Sequence, residues 1–450
     1  MAPQFPSTGK SAAQAVAAAA VGLALCGITA GAGGDTSASR PVPPAATLAF
    51  GPERRLGNAD RNPSTPFLRP GPDGRLYAVW TEDNTDRPAY LKREGYSPGT
   101  SLLRAAVLAW SADGGKTWSP SKRVNSAVEA IQGEESGPRI AFGADNKMYA
   151  VWSITDSAGG NILRGNVRFT MADGAGGFTP AQTLNEVKGA ARFPVVEVAS
   201  DGTVLVAWVD RRIDNPKPRQ LYLMRLGADG RPLTKNYPVG EGMCDCCRIG
   251  MAFANGGRTV YMVNRKVSPE QIRNHELRKS SDGGATFGPP VEISDDRWKV
   301  PFCPDSGPTI VRDGRGFLHV AWFTLGRSPE KEAGVYYAVS RDGGQSFAPR
   351  QLVHSNSIGA ALLHPTLALG KDGTLYFAWD NLDGSSKAQI FVRALAPDGK
   401  SWSPVQQVSR AKENAWRPAL AVSEKDLDVA WTEVDGEESW VVLRRASLVE

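Results

Sequence analysis

The sequence predicts an all-β chain, a seven-bladed β-propeller of four-stranded antiparallel blades, from three observations. A phrase of apolar residues ending in Ala-Trp or its equivalent recurs seven times, at Trp80, Trp152, Trp208, Asn264, Trp322, Trp379 and Trp431, with spacings of 72, 56, 56, 58, 57 and 52. A second signature follows in most copies, as SADGGKTW at 111–118, SSDGGATF at 280–287 and SRDGGQSF at 340–347. The last copy stops one strand short, and LAFGPERRLG at 48–57 has the shape of the missing strand. A fixed period of this length marks a stacked or radial repeat, because one unit alone cannot bury its apolar face.

Each element follows from local chemistry. The first half of each copy is a short apolar run, a turn such as Pro-Asp-Gly, and a second run of β-formers, which reads as a hairpin. A third run ends at the Asp-Gly turn and a fourth follows it, giving four antiparallel strands per repeat. MADGAGGF at 171–178 lacks the first Ser, APDGKSW at 396–402 is one residue shorter, and GADGRPL at 227–233 is degenerate. An N-terminal strand that completes the C-terminal blade removes the open edge that invites aggregation.

Composition agrees with this class. Gly and Pro number 48 and 32 of 450 residues, which argues against a helical bundle, while 41% hydrophobic residues and 12 Trp suffice for a core. The net charge of +5, without a long basic run, predicts no nucleic-acid partner. Residues 1–32 read as a signal peptide, with Lys10 ahead of an alanine-rich apolar stretch too briefly apolar for a membrane anchor. The expected location is therefore secreted or periplasmic, with no transmembrane segment. Cys26 offers a lipoprotein alternative that the preceding Leu25 disfavours. Residues 33–46 are a polar, Pro-rich lead-in, and 47–450 are one domain.

The Asp-Gly signatures resemble those of the Asp-box, or BNR-repeat, proteins, whose best-known members are the sialidases. The resemblance covers essentially the whole chain after the signal peptide. The aspartates Asp113, Asp282 and Asp342 are read as turn residues, since hydrogen bonds to turn amides and glycines at positive φ account for the motif.

Aligning the copies on the first-strand proline sets Ser64, Ser136, Arg192, Arg248, Ser306, Leu363 and Trp416 at one position. Adjacent arginines at Arg192 and Arg248 suit a carboxylate by bidentate pairing. The segment ARFPVVEVASDGTVLVAWVDRRIDN at 191–215 is similar to the opening segment of sialidases. That resemblance implies Arg192 as a carboxylate-clamping arginine, a further clamp from Arg248 or from Arg265, Arg273 or Arg417, and Asp210 or Asp214 as the acid/base aspartate. Arg211, in the same Asp-rich loop, joins the candidate ligand-binding set. No tyrosine is assigned as nucleophile. The expectation is an exported propeller that binds an acidic small molecule, a glycan or a protein partner at the rim near blades three and four. An exo-α-sialidase, a retaining glycoside hydrolase, is the alternative.

The cysteines form a second constellation: Cys244, Cys246 and Cys247 in MCDCCRIG, and Cys303 in FCPDSGP. An even count in an exported chain favours disulfides, and the vicinal pair Cys246 and Cys247 cannot bond to each other without strain. The competing reading is a soft-metal site for copper or zinc, with no other cofactor expected. The insertion at 81–100 is read as a surface loop or a lid over the central cleft, and His275 and His364 as solvated or hydrogen-bonded rather than catalytic.

Overall fold

The computed structural model describes residues 47–84, 104–127, 129, 131, 136–155, 165–212, 219–300, 304–355, 363–382 and 386–448. The expected signal peptide and lead-in, most of the 81–100 insertion, Asp214 and Cys303 lie outside the described residues.

Among the described residues the strands form five four-stranded antiparallel sheets and one eight-stranded sheet. The hairpin reading holds in each repeat. Leu76–Asp83, for instance, lies between Ser64–Pro70 and Arg104–Ser111, and Lys122–Arg123 completes that sheet. The strand Arg54–Leu56 pairs antiparallel with Glu438–Ser447, so the first strand of the chain joins the last sheet.

The eight-stranded sheet holds two repeats, Ala191 to Met243 and Gly250 to Lys299. They are joined by one register pair, Met243 with Lys266, followed by the Cys244 amide donating to the Arg265 carbonyl at 3.0 Å. That junction lies where the cysteines begin.

The core lies between sheets. Trp80, Trp152, Trp208, Trp322, Trp379 and Trp431 are all at most 1% exposed and pack among aliphatic residues of the neighbouring repeat, as their once-per-repeat placement requires. Some of the indoles carry a built-in acceptor two residues on. Trp80 donates Nε1–H to Glu82 and Trp208 donates to Asp210, both at 2.9 Å, whereas Trp322 reaches Asp296 at 2.8 Å. A buried N–H left without an acceptor costs about 1–3 kcal/mol, so these carboxylates complete the core.

The Asp-box turns show the chemistry read from their sequence. Asp282 receives the Ser280 hydroxyl at 2.7 Å, the Thr286 amide at 2.9 Å and the Thr286 hydroxyl at 2.6 Å, and the Ser280 hydroxyl also accepts from the Gly284 amide. Gly283 and Gly284 have φ of 71° and 87°, which only glycine adopts without strain. Asp113 and Asp342 repeat these bonds, and the donors hold all three carboxyls well below the usual carboxylate range, Asp282 at about 2.

Candidate functional site at the cavity mouth

In every repeat the first strand runs away from, and the second strand returns to, one end of the molecule, here called the mouth. The Asp-box turns follow the third strand and lie at the opposite end. A cavity of about 400 Å³ is lined by residues in or next to these first strands, among them Pro66, Arg139, Val195, Arg248, Pro308, Pro365 and Pro418. Its far end is bridged by Arg69 and Glu197, a bidentate pair at 2.9 and 2.6 Å.

The mouth is shaped by a repeated backbone irregularity. In the first, third and last repeats the register with the second strand slips between Ser64 and Phe67, Arg192 and Val195, and Trp416 and Ala419. The residue just before each proline, Thr65, Phe193 or Arg417, has a positive φ of 53–56°. None of these residue types favours that region, so each bulge holds a strained residue, as is common at sites that aim a side chain.

Hydrogen bonds tie successive repeats together around this end. The Arg192 guanidinium meets the Ser136 hydroxyl at 3.4 Å, Ser306 donates to the Leu363 carbonyl at 2.6 Å, and the Arg417 amide donates to Asp380 at 3.1 Å. The Thr65 amide donates to the Thr432 hydroxyl at 2.8 Å. Arg417 also pairs with Asp305 at 2.9 Å.

Of the arginines expected to bind ligand, Arg248 lines the cavity and is half-buried. Its backbone lies against Gly307, where a Cβ would fall 2.2 Å from the Arg248 carbonyl oxygen, so only glycine permits this approach. Arg192 is half-buried, with its guanidinium 4.5 Å from the Phe193 ring centroid. Arg211 pairs with Asp245 at 3.3 Å, within the cysteine turn. Arg265 is fully buried, donating from Nη2 to the Ser306 and Phe323 carbonyls at 2.8 Å each, over the Trp298 ring.

Asp210, the candidate acid/base residue, is 1% exposed. It accepts from Trp208 Nε1 and from the Arg212 amide, Nε and Nη2, all at 2.8–2.9 Å. Both its oxygens are thus occupied within the protein. A signal for this was available: Glu82 stands at the same offset from Trp80 and caps its indole in the same way, so an acid there can serve the core.

His275 and His364, expected to be solvated or hydrogen-bonded, are both buried; for His364 the partner is Asp380. The His364 ring Nδ1 lies 2.7 Å from Asp380, whose other oxygen accepts the His364 amide at 2.6 Å, one residue ahead of cavity-lining Pro365. The His364 ring and the surrounding donors hold the Asp380 carboxyl below the usual carboxylate range in spite of its burial.

Beside the mouth, the sulfurs of Cys244, Cys246 and Cys247 lie within 4.8 Å of one another, all buried. The cysteine count favours disulfides, and Cys246 is disulfide-bonded, but Cys244 and Cys247 are free thiols, with Cys247 donating to Cys244 at 3.2 Å. That hydrogen bond, with Arg265 and Arg273 nearby, draws Cys244 down to about 6, while burial pushes Cys247 up. The Asp305 amide donates to Cys246 at 3.3 Å, which joins the cluster to the Arg417 pair at the mouth.

No protein-family profile and no curated protein matches the chain. Solved structures do match in fold. The polysaccharide lyase Uly1 is 11% identical over 92% of this chain and 94% of its own, with a TM-score of 0.54. A protein of unknown function from Dyadobacter fermentans is 13% identical over 88% of this chain and 99% of its own, at 0.52. The endosialidase of phage phi92 is 11% identical over 90% of this chain and 70% of its own, at 0.50. At these identities the likeness shows the fold alone: the chain has a sialidase-like β-propeller fold.

Proposed function

We propose that the chain is an exported propeller that binds a carboxylate-bearing glycan at the cavity mouth, near Arg192 and Arg248. In this reading the ring has seven blades, the eight-stranded sheet being two of them, and the pairing of Arg54–Leu56 with the last sheet supports its closure. The single observation that carries the binding assignment is Arg248 on the cavity wall, its backbone set by the close approach of Gly307. Arg248 lies half-buried just ahead of the strand Gly250–Ala254, where a guanidinium can meet a carboxylate entering the cavity by bidentate pairing. The glycan class draws support from the names of two structures of similar fold, an endosialidase and a polysaccharide lyase.

Among the described residues no helix is long and apolar enough to cross a membrane. Export rests on the N-terminal stretch alone and is tested by sequencing the N-terminus of the protein recovered outside the cytoplasm.

The functional test is calorimetric titration of the protein with sialylated, uronic-acid and neutral oligosaccharides. Acidic oligosaccharides bind and neutral ones do not, and Arg248→Ala loses about 10–100-fold in affinity, the equivalent of one charged hydrogen-bonded pair. Equal binding of neutral and acidic sugars, or an unaffected variant, overturns the assignment. Turnover of a fluorogenic sialoside that Arg248→Ala abolishes extends the reading from binding to hydrolysis.

A further inference from the structure

We propose that Cys244 and Cys247 form a binding site for a monovalent soft metal ion of the Cu(I) class, with Arg265 as its built-in counter-charge. The inference is independent of the glycan reading and starts from the arginine.

Arg265 is fully buried, and its Nε and Nη1 have no hydrogen-bond partner. Among the described residues no carboxylate lies within ion-pair distance of it; its polar partners are two carbonyl oxygens, and the ring of Trp298 lies 4.8 Å from its guanidinium carbon. A buried cation without an anion costs several kcal/mol, so a resident anion is expected beside it. The thiol pair feels the guanidinium charge at both sulfurs; His275, the register partner of Arg265, feels it too but as a base supplies no anion. The Cys244 amide also bonds to the Arg265 carbonyl, so pair and cation are fixed to the same backbone junction.

Charge then selects the occupant. A single thiolate in the pair also meets the charge of Arg265; among the metal-bound states, two thiolates with a divalent zinc ion sum to zero and leave Arg265 uncompensated. Two thiolates with a monovalent ion carry one negative charge, which Arg265 cancels. Thiolate softness favours Cu(I) among such ions. In the binding step both thiols lose their protons to solvent, two sulfur–metal bonds form, and no electron is transferred. The sulfurs, 3.2 Å apart, part by about 1 Å to take an ion at ordinary metal–thiolate distance.

The test is anaerobic titration of the reduced protein with Cu(I) against a chromogenic Cu(I) chelator, with Zn(II) titrated in parallel. The expected result is about one Cu(I) retained per chain, lost in Cys244→Ser and Cys247→Ser, and held about 10–100-fold more weakly in Arg265→Met than in Arg265→Lys, which keeps the charge. Because the variants could fail to fold, the wild-type melting temperature is measured as well: Cu(I) raises it and equimolar Zn(II) does not. Copper removed from the wild type as easily as from both serine variants, or zinc held as tightly as copper, overturns the proposal. A metal-free thiolate paired with Arg265 is the state left standing in that event.

Discussion

The two ends of the repeats use the same residue types differently. At the Asp-box end Asp113, Asp282 and Asp342 are exposed and sit in nearly superimposable sets of hydrogen bonds, repeat after repeat. At the mouth the corresponding positions diverge. One repeat offers Arg192, the next Arg248 with three cysteines ahead of it, another Ser306, and the next Leu363 beside the His364–Asp380 pair. Where the chemistry repeats it closes turns and caps indoles, and where repetition breaks it is available for a ligand.

Asp210 tests this division most severely, because it lies at the mouth yet caps an indole of the core as Glu82 does. Asp210→Asn breaks a buried pair with Arg212 and should cost about 3–5 kcal/mol of stability while leaving glycan affinity unchanged. Denaturant unfolding and calorimetry read the two effects separately. Lost affinity at unchanged stability would move Asp210 to the ligand side of the comparison.

The next effect is on pH dependence. Burial holds His275 down to about 4, against about 6.5 when unfolded. Between those values the unfolded chain takes up a proton that the folded chain refuses, so stability falls as pH drops from 6.5 to 4, by up to about 3 kcal/mol. Melting curves of His275→Gln should show a shallower slope across that window, and an unchanged slope would remove His275 as the cause.

The smallest effect belongs to a single Asp-box bond. Thr286→Ala removes one side-chain donor from Asp282 and should cost about 1 kcal/mol near neutral pH. Asp282 has its folded value lowered to about 2, so its contribution is complete above about pH 4 and is lost as pH falls toward 2. The difference between variant and parent should therefore vanish at the acid end of a pH series.

Much of the fold was legible because repeats expose it. The prolines aligned the first strands that line the cavity, and the Asp-Gly-Gly boxes marked the turn after the third strand in three repeats. The site was legible in outline only. Arg248 lines the cavity, but the companion arginine Arg265 turned inward to the Ser306 and Phe323 carbonyl oxygens, which spacing alone does not reveal. One sign was present: the fourth repeat has Asn264 where six others have Trp, and Trp298, from a later strand, lies over Arg265. The thiol state of Cys244 and Cys247 depends on distances between sulfurs and on a buried cation, neither of which a count of cysteines contains.

The measurement that bears most directly on the account is calorimetric titration of one acidic oligosaccharide into three proteins: the parent, Arg248→Ala at the mouth, and Asp282→Ala at the opposite end. The account predicts an affinity loss of about 10–100-fold for the mouth variant and none for the Asp-box variant. Equal losses in both, or a loss confined to Asp282→Ala, would contradict the assignment of function to the end where repetition breaks.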